Sequence, residues 1–571
     1  MTARPPARRL IGMLVAFVLG LSAIGARLVL LQVKDAEAFQ DLARQQRVYT
    51  IDLPAPRGGI FDRAGNELAV SLPAQAVFAD PSFVTDPLGE ARRLAPLLRV
   101  PARALEQKLS GDSRFVYLAR QVRPRLAGRI RALGLAGIGF LDESRRAYPA
   151  GILAPQVLGF VGVDGQGLAG LELQYQDVLA GAPGTRVQEQ DPAGHGIPGG
   201  ERSEVAPVPG ESLVLTIDKD VQFEAQRALA AAVKRNGAKG GTVLVMEPAT
   251  GDILAMASYP LFDPAHYETA DPQTVRARAI TDVYEPGSVN KVITASAAVE
   301  ESLFPLDRAF LIPDSYQVAE KVFHDAHAHP EEPMTLADVI AYSSNVGTIK
   351  VAQRLGQPRL ADYLERFGFG RRTGIAFPGE SRGILPPRDG WWGNSMGTIP
   401  IGQGIAVTPL QMASVYQTIA NGGVWVQPRL VRGVTGADGE FTPAGAARHR
   451  RVVTGFTAER VTEMLAYAVE VGTGGAAAVP GYWVAGKTGT ARKPLENARG
   501  YSDRYVASFI GFLPASAPRV VIAAILDEPQ TVYGGIASAP LFREVARYAL
   551  AHLRVPSAPR PAVPPHVVPI D

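Results

Sequence analysis

The sequence predicts an α/β multidomain chain: an N-terminal membrane helix, a loop-rich middle domain, and a larger domain whose sheet is assembled from both of its ends. Three observations carry this prediction. A single charge-free apolar run, Leu10–Ala26, opens the chain. From Pro54 the texture turns to short strands and Gly/Pro-rich turns. From Glu211 a strand–helix–strands pattern begins, a mostly helical stretch runs on to about residue 480, and strands then a helix close the pattern.

Size and composition agree. At 571 residues the chain exceeds one ordinary core, and roughly 150 residues per domain gives two to four domains. Hydrophobic residues make up 46% and charged residues 20%, the balance of a folding chain. With 58 basic residues against 55 acidic, the net charge of +3 argues against a dedicated nucleic-acid binder. Cysteine is absent, which excludes disulfides, Cys metal sites and thiol nucleophiles. Only 10 of the 58 basic residues are lysines, so each lysine at a defined position carries information.

Taken in order, Arg4, Arg8 and Arg9 precede the apolar run, which resumes after Arg27 through Val33. At 1.5 Å per residue, ~17–22 residues cross roughly 25–33 Å, enough for a bilayer core. The positive-inside rule places Met1 in the cytoplasm and the bulk of the chain outside, single-pass. A cleaved signal peptide is the alternative, with Ala23-Ile24-Gly25 as a mediocre cleavage site. Residues 34–50 read as a helix leaving the membrane, Ala64-Gly65-Asn66 as a tight turn between strands, 86–137 as helices, and 164–210 as extended and loop-rich. Strands are expected at 213–217, 241–247, 252–259, 483–491, 505–513 and 519–527, with helices at 218–235 and 539–553. The last 16 residues hold six prolines and read as a disordered tail.

Three short motifs carry the chemistry. Ser288-Val289-Asn290-Lys291 comes after the helix-start signal Glu285-Pro286-Gly287 and is the one Ser-x-x-Lys in the chain. Residues i and i+3 share a helix face, so Lys291 can take the proton of the Ser288 hydroxyl if its pKa is lowered. The Ser288 backbone nitrogen, at the helix start, points where an oxyanion would form. Ser343-Ser344-Asn345 ends the expected helix 336–342; alone it reads as a capped turn. Lys487-Thr488-Gly489-Thr490 lies on an expected strand, where alternation puts Lys487 and Gly489 on one face and Thr488 and Thr490 on the other. A twist or bulge would bring them to one cleft; Gly489 would let a substrate backbone lie close, and Lys487 would bind a carboxylate and lower the pKa of Lys291. Each motif is weak, but their order on helix, loop and strand is the set known from penicillin-binding proteins and β-lactamases.

On these residues the chain resembles the class B penicillin-binding proteins, monofunctional D,D-transpeptidases, and its division-type, FtsI-like subgroup. Arg57–Ala69 is similar to the family's pedestal signature, as are Arg145–Pro149, Gly159–Gly162 and Gly170–Glu172; Ala279–Ser288, Tyr505–Phe512, Tyr533–Gly535 and Ser538–Pro540 resemble the division-type subgroup. Asn290 and Val292 depart from the residues many relatives carry around the lysine. The resemblance implies an α+β pedestal, and a transpeptidase domain with a central antiparallel sheet flanked by helices and an all-helical subdomain. It implies these bounds: a cytoplasmic tail at 1–9, an anchor at 10–33, the pedestal at 34–210, the transpeptidase domain at 211–555 and the tail at 556–571.

The implied mechanism is a serine acyl-enzyme. Ser288 attacks the penultimate D-Ala carbonyl of a peptidoglycan stem peptide and Lys291 accepts its proton. The backbone nitrogens of Ser288 and Thr490 hold the oxyanion. Ser343, bonded between Lys291 and Lys487, relays a proton to the leaving D-Ala. Asn345 binds the donor amide, and Lys487, Thr488, Gly489 and Thr490 line the donor site, with Lys487 and the two threonines on its carboxylate. A second stem peptide releases the acyl group as a 4→3 cross-link, and β-lactams trap Ser288. No metal or organic cofactor is implied. The implied partners are donor and acceptor stem peptides, β-lactams, and a polytopic SEDS-family glycosyltransferase with other division proteins, met through the membrane helix and pedestal at the septum; no nucleic acid is implied. A β-lactamase or D,D-carboxypeptidase-type hydrolase is the alternative enzyme, and a β-lactam sensor or division scaffold the alternative binding protein.

Other features take structural readings. His324, His327 and His329 around Asp325 could suit a metal by spacing, but a loop role is expected. Trp391-Trp392 are expected to pack near the cleft, Gly402-Gln403-Gly404 to form a turn rather than a phosphate loop, and Arg57 to pair with Asp62.

Overall fold

The computed structural model describes residues 7–34, 47–189, 197–200, 202–495 and 500–558. Residues 1–6 of the expected tail and 559–571 of the Pro-rich end lie outside them. The chain divides into two compact units, Met1–Pro56 with Gly181–Pro209, and Arg57–Ala180 with Gly210–Asp571.

The first unit opens with helix Ala7–Val29, prolonged by a π-helical turn at Leu30–Lys34. None of its residues is buried, and it is the one helix among the described residues long and apolar enough to cross a membrane. The helix expected over 34–50 does not reach its predicted end. Residues 35–46 are outside the described range, and Val48–Leu53 is a strand, whose β-branched and aromatic Val48, Tyr49, Thr50 and Ile51 favour that state. It pairs antiparallel with Gly184–Glu189, which pairs in turn with Arg202–Val205.

In the second unit a seven-stranded sheet runs in the order Phe441–Pro443, Val431–Thr435, Ser212–Leu215, Ile60–Phe61, Glu67–Ala79, Val116–Val122, with Ile138–Ala147 also on Glu67–Ala79. Ile60–Phe61 lies parallel to Ser212–Leu215, so this sheet runs continuously across residue 210. The turn at Ala64–Asn66 forms as expected, with Gly65 at φ +85°. Asp62, however, does not meet Arg57. Its carboxylate accepts from the amides of Ala64, Asn66 and Lys219, closing its own turn. Arg57 instead donates to Glu172 Oε2 at 2.7 Å while Arg146 donates to Oε1 at 2.7 Å, and Glu172 is fully buried. Burial holds Arg57 below the usual arginine range, and the Glu172 charge opposes that shift. Replacing Glu172 by glutamine strands two buried guanidiniums; the expected loss is about 3–5 kcal/mol, read as a lower thermal unfolding midpoint of the whole chain. An unchanged midpoint would reject this account.

The span 86–137 is not all helical: helices Pro87–Leu98, Ala102–Leu109 and Pro124–Arg131 are interrupted by strand Val116–Val122. Asp86 caps the first helix by accepting from the Gly89 amide. The helices bury Ala91, Leu94, Leu105 and Ile130 against Val77 and Leu118 of the sheet.

The second sheet positions the site. Its order is Ile253–Tyr259, Gly240–Met246, Val520–Asp527, Tyr501–Leu513, Ala485–Pro494, antiparallel throughout. Its first two strands and its last three come from opposite ends of the domain, as the sequence pattern indicates. Period-two alternation buries both faces. Val243, Val245, Phe509 and Ile522 face helices Lys219–Arg235 and Ala539–His552. Leu244, Met246, Ile510 and Val521 face the core that includes Lys291–Glu300, Pro409–Ala420 and Gly455–Glu470. The stretch expected to be only helix and loop also contains short strand pairs, among them the hairpin of Ser315–Val318 with Lys321–His324, and Val424–Val426 paired with His449–Arg451.

Candidate active site

Ser288 sits in the 3₁₀ turn Gly287–Asn290, which runs directly into the buried helix Lys291–Glu300. In a 3₁₀ turn residues i and i+3 eclipse, which sets Lys291 beneath Ser288. Gly287 enters the turn at φ +59°, a conformation that favours glycine. The turn is held from below and beside: Tyr416 Oη donates to the Val289 carbonyl at 3.1 Å, Asn290 Nδ2 donates to the Ile399 carbonyl at 2.9 Å, and the Gly287 amide donates to the Gly402 carbonyl at 3.0 Å. A Cβ on Gly402 would lie 2.2 Å from the Gly287 oxygen. The Gly402-Gln403-Gly404 turn is thus a backbone brace for the serine turn.

Lys291 is fully buried. Its amine donates to the Ser343 carbonyl at 2.6 Å, to Asn345 Oδ1 at 2.8 Å and, at a longer 3.3 Å, to Ser343 Oγ. Burial pushes its pKa down to about 7, against the opposing pull of Asp325. Among the described residues the Ser288 hydroxyl has no hydrogen-bond partner, and it is only partly covered.

Ser343 is held at φ +62°, which turns its carbonyl and hydroxyl together toward Lys291. Ser344 caps helix Asn345–Leu355 by accepting from the Gly347 amide at 2.8 Å. The capped-turn reading of Ser-x-Asn therefore holds for its middle residue, while its outer two meet the lysine. Asp325 organises this turn: its carboxylate accepts from Ser344 Oγ at 2.7 Å, from the Val346 amide at 3.0 Å and from the Asn345 amide. His329 Nε2 lies 3.1 Å from the same carboxylate, and its other nitrogen faces the Pro330 carbonyl. The histidine-rich segment is accordingly a loop that delivers Asp325.

Lys487-Thr488-Gly489-Thr490 lies on the edge strand Ala485–Pro494, in unbroken register with Tyr501–Leu513 from Ala485 to Arg492. No bulge brings the residues together. Lys487 curls along its own strand and donates to Thr488 Oγ1 at 3.2 Å and, more weakly, to Thr473 Oγ1 at 3.5 Å. The bond expected between Lys487 and Ser343 is not formed. Burial, and then the Lys291 charge, push the Lys487 pKa well down. The strand abuts the serine turn: a Cβ on Gly287 would be 3.1 Å from the Thr490 carbonyl oxygen, and one on Gly489 would be 3.1 Å from the Pro286 oxygen and 2.3 Å from Ser508 Oγ. Gly489 therefore admits the protein's own serine turn rather than an open space for substrate. An edge strand also leaves alternate amides unpaired by the sheet.

A turn-borne serine over a buried amine of lowered pKa, facing a Lys-Thr-Gly edge strand, is accompanied by a sequence match. Residues 241–547 match the penicillin binding protein transpeptidase domain, and residues 52–215 the penicillin-binding protein dimerisation domain. The chain belongs to the penicillin-binding proteins. It is 38% identical to penicillin-binding protein PbpB of Mycobacterium tuberculosis, over 96% of this chain and 86% of that one. It is 35% identical to peptidoglycan D,D-transpeptidase FtsI of Escherichia coli, over 85% of this chain and 82% of that one. The crystal structure of penicillin-binding protein 3 from Mycobacterium tuberculosis complexed with ampicillin matches with a TM-score of 0.73 at 34% identity, covering 90% of this chain and 99% of that chain. These relatives place the chain in class B.

In this penicillin-binding protein, Ser288 and Lys291 share one continuous turn, and Ser343 and Asn345 meet Lys291 directly. Lys487 and Thr488 contact each other and Thr473, whereas Thr490 Oγ1 accepts from the Gly534 amide at 3.2 Å. Two neighbours carry little signal in the sequence. Thr473 Oγ1 lies 2.7 Å from Thr488 Oγ1, but its Gly-Thr-Gly-Gly setting reads only as a turn. Asp325 is visible there only as one acid among three histidines. Trp391 is buried as packing predicts, whereas Trp392 is 76% exposed.

Proposed function

We propose that this class B penicillin-binding protein is a peptidoglycan D,D-transpeptidase whose chemistry is carried by Ser288, Lys291, Ser343 and Lys487, with Asn345, Thr488 and Thr490 lining the donor site and Gly489 letting their strand pack against the serine turn. The observation that carries the reading is the setting of Lys291. Two of its hydrogens are pinned on acceptors, the Ser343 carbonyl and Asn345 Oδ1. A neutral amine so held keeps its lone pair free to accept a proton, and a pKa of about 7 keeps much of it neutral near pH 7. It can then take the Ser288 proton as Oγ attacks the penultimate D-Ala carbonyl of a donor stem peptide. The developing oxyanion falls to the backbone amides of Ser288 and Thr490. Ser343, 3.3 Å from the Lys291 amine, is the next hydroxyl in line to pass a proton to the departing D-Ala. The donor's terminal carboxylate docks on Thr488 and Thr490, and its charge raises the pKa of Lys487 and returns its proton. Nothing in this sequence of steps calls on a cofactor. An amine of a second stem peptide releases the acyl group as a 4→3 cross-link.

The apolar helix supports a single-pass anchor with the N-terminus in the cytoplasm, and the arginines before it give that orientation. The domain bounds proposed are tail 1–9, anchor 10–33, pedestal 34–210, transpeptidase 211–555 and C-terminal tail 556–571. The likeness to a protein named FtsI supports work at the division septum. A SEDS-family glycosyltransferase is proposed as partner, met through the membrane helix and pedestal.

The test is mass spectrometry of the detergent-solubilised full chain after incubation with benzylpenicillin. One long-lived adduct mapped to Ser288 is expected, and none in Ser288→Ala. A folded wild-type protein that stays unmodified would refute the proposal, and release of the adduct within seconds would point to the hydrolase instead.

A further inference from the structure

A second polar cleft, of about 500 Å³, lies between the end of helix Gln357–Arg366 with its adjoining turn and the strand pair Val424–Val426 and His449–Arg451. None of the residues assigned to the transpeptidase site lines it. Arg366, Arg371, Arg372, Arg448 and Arg450 do, against the two carboxylates Asp362 and Glu365. Those carboxylates are already engaged: Arg388 reaches Glu365 at 3.0 Å and Asp362 at 3.5 Å. Arg366 approaches Asp362 only at 4.0 Å, and Arg371, Arg372, Arg448 and Arg450 form no ion pair among the described residues.

Arginine is abundant in this chain, so number alone decides nothing. What decides is that three of the guanidiniums, those of Arg366, Arg448 and Arg450, are held in place. Arg450 lies 4.8 Å over the Trp425 ring and donates to the Arg366 carbonyl. Arg366 lies 4.8 Å over the Tyr363 ring and donates to the Val452 carbonyl. Arg448 donates to Gln427 Oε1 at 2.9 Å, beside Gly374, where a Cβ would fall 2.7 Å from the Arg448 guanidinium. Burial, then the neighbouring charges of Arg371 and Arg366, hold Arg450 below the usual arginine range. Five guanidiniums against two carboxylates that Arg388 already engages leave an excess of positive charge, which an entering polyanion offsets. Planar guanidinium forks match phosphate oxygens two at a time, and a cleft of this size holds more than one carboxylate.

We propose that this cleft binds a ligand bearing adjacent phosphoryl groups, of about pyrophosphate size. Either a soluble diphosphate or the diphosphate headgroup of a lipid could bring that chemistry, and the test separates them. Detergent-solubilised full chain is titrated calorimetrically at low salt with inorganic pyrophosphate, with water-soluble geranyl diphosphate as a lipid diphosphate, and with hexaglutamate. Pyrophosphate is expected to bind, with affinity falling as salt rises. The exposed pair Arg371→Gln/Arg372→Gln should weaken it roughly ten-fold or more, and Arg450→Gln similarly, while benzylpenicillin still acylates Ser288 at the wild-type rate. Preference for the lipid headgroup, with the same dependence on the arginines, supports the site and assigns its source to lipid. The proposal is overturned by no binding at millimolar pyrophosphate, by equal affinity in the Arg371/Arg372 variant, or by tighter binding of hexaglutamate, which would mark an acidic-peptide surface.

Discussion

Replacing Lys291 by methionine is expected to slow acylation of Ser288 by benzylpenicillin by roughly 10²–10⁴-fold, the range of a lost general base. Methionine comes close to the length of lysine and removes the amine, and the Gly287–Asn290 turn, braced independently by Tyr416 and Gly402, should survive. The loss would be chemical rather than architectural. Its signature is the pH profile. In the wild type the acylation rate should climb as pH rises through about 7 and then level off, because only the neutral Lys291 amine accepts a proton. In the variant that limb should vanish. Stability gives a second check. Lys291 has a folded pKa depressed to about 7, against roughly 10.4 when unfolded. Between these values the unfolded chain binds more protons, so this residue's contribution to stability grows with rising pH. The unfolding midpoint of wild type relative to Lys291→Met should therefore rise between pH 7 and 10. A variant that acylates at the wild-type rate with the same pH limb would remove Lys291 from the chemistry.

The residues that meet around Lys291 are legible in the sequence because each belongs to a short motif whose chemistry restricts residue type. A buried lysine one turn from a serine is a rare pattern in a chain with few lysines, and order along the sequence supplies the rest. The central sheet is legible for a different reason: its strands are apolar on both faces and bounded by Gly and Pro, so runs such as Val520–Asp527 announce themselves. What stays hidden depends on pairings distant in sequence. Arg57 lies near Asp62 along the chain, yet its carboxylate is Glu172, more than a hundred residues away. Nothing local distinguishes the two acids; only the fold buries one of them between two guanidiniums. Gly489 does mark a close approach, but it is the serine turn and not substrate that approaches, because an absent side chain does not say which backbone fills its place. The short strands at Val116–Val122 and Lys321–His324 escape the sequence pattern because a few paired residues leave little periodicity.

Asp325→Asn is expected to act on the same reaction from farther away. Asp325 touches no assigned reacting atom, and its side chain is only 7% exposed. It does two things at once: it accepts the amides at the start of helix Asn345–Leu355, and it is the negative charge that opposes the depression of the Lys291 pKa. Asparagine removes the charge and presents an NH₂ where the carboxylate had accepted from Ser344 or from the helix amides. At least one buried donor is then left without a partner, at about 1–3 kcal/mol. The charge effect has a definite sign. Losing a nearby carboxylate disfavours the protonated lysine, so the Lys291 pKa falls further and the acid limb of the acylation profile moves to lower pH. The plateau should fall as well, by roughly 10–100-fold, because Asn345 and Ser343 ride on the turn that Asp325 holds, and small displacements of positioning groups are expensive in rate. A purely structural residue would lower the unfolding midpoint and leave the acid limb where it was. A residue coupled to Lys291 moves the limb, and Ser344→Ala, which removes one of the same hydrogen bonds without touching the charge, should weaken the cap while leaving the limb in place. If Asp325→Asn and Ser344→Ala gave superimposable pH profiles, the electrostatic half of this assignment would be wrong and only the cap would remain.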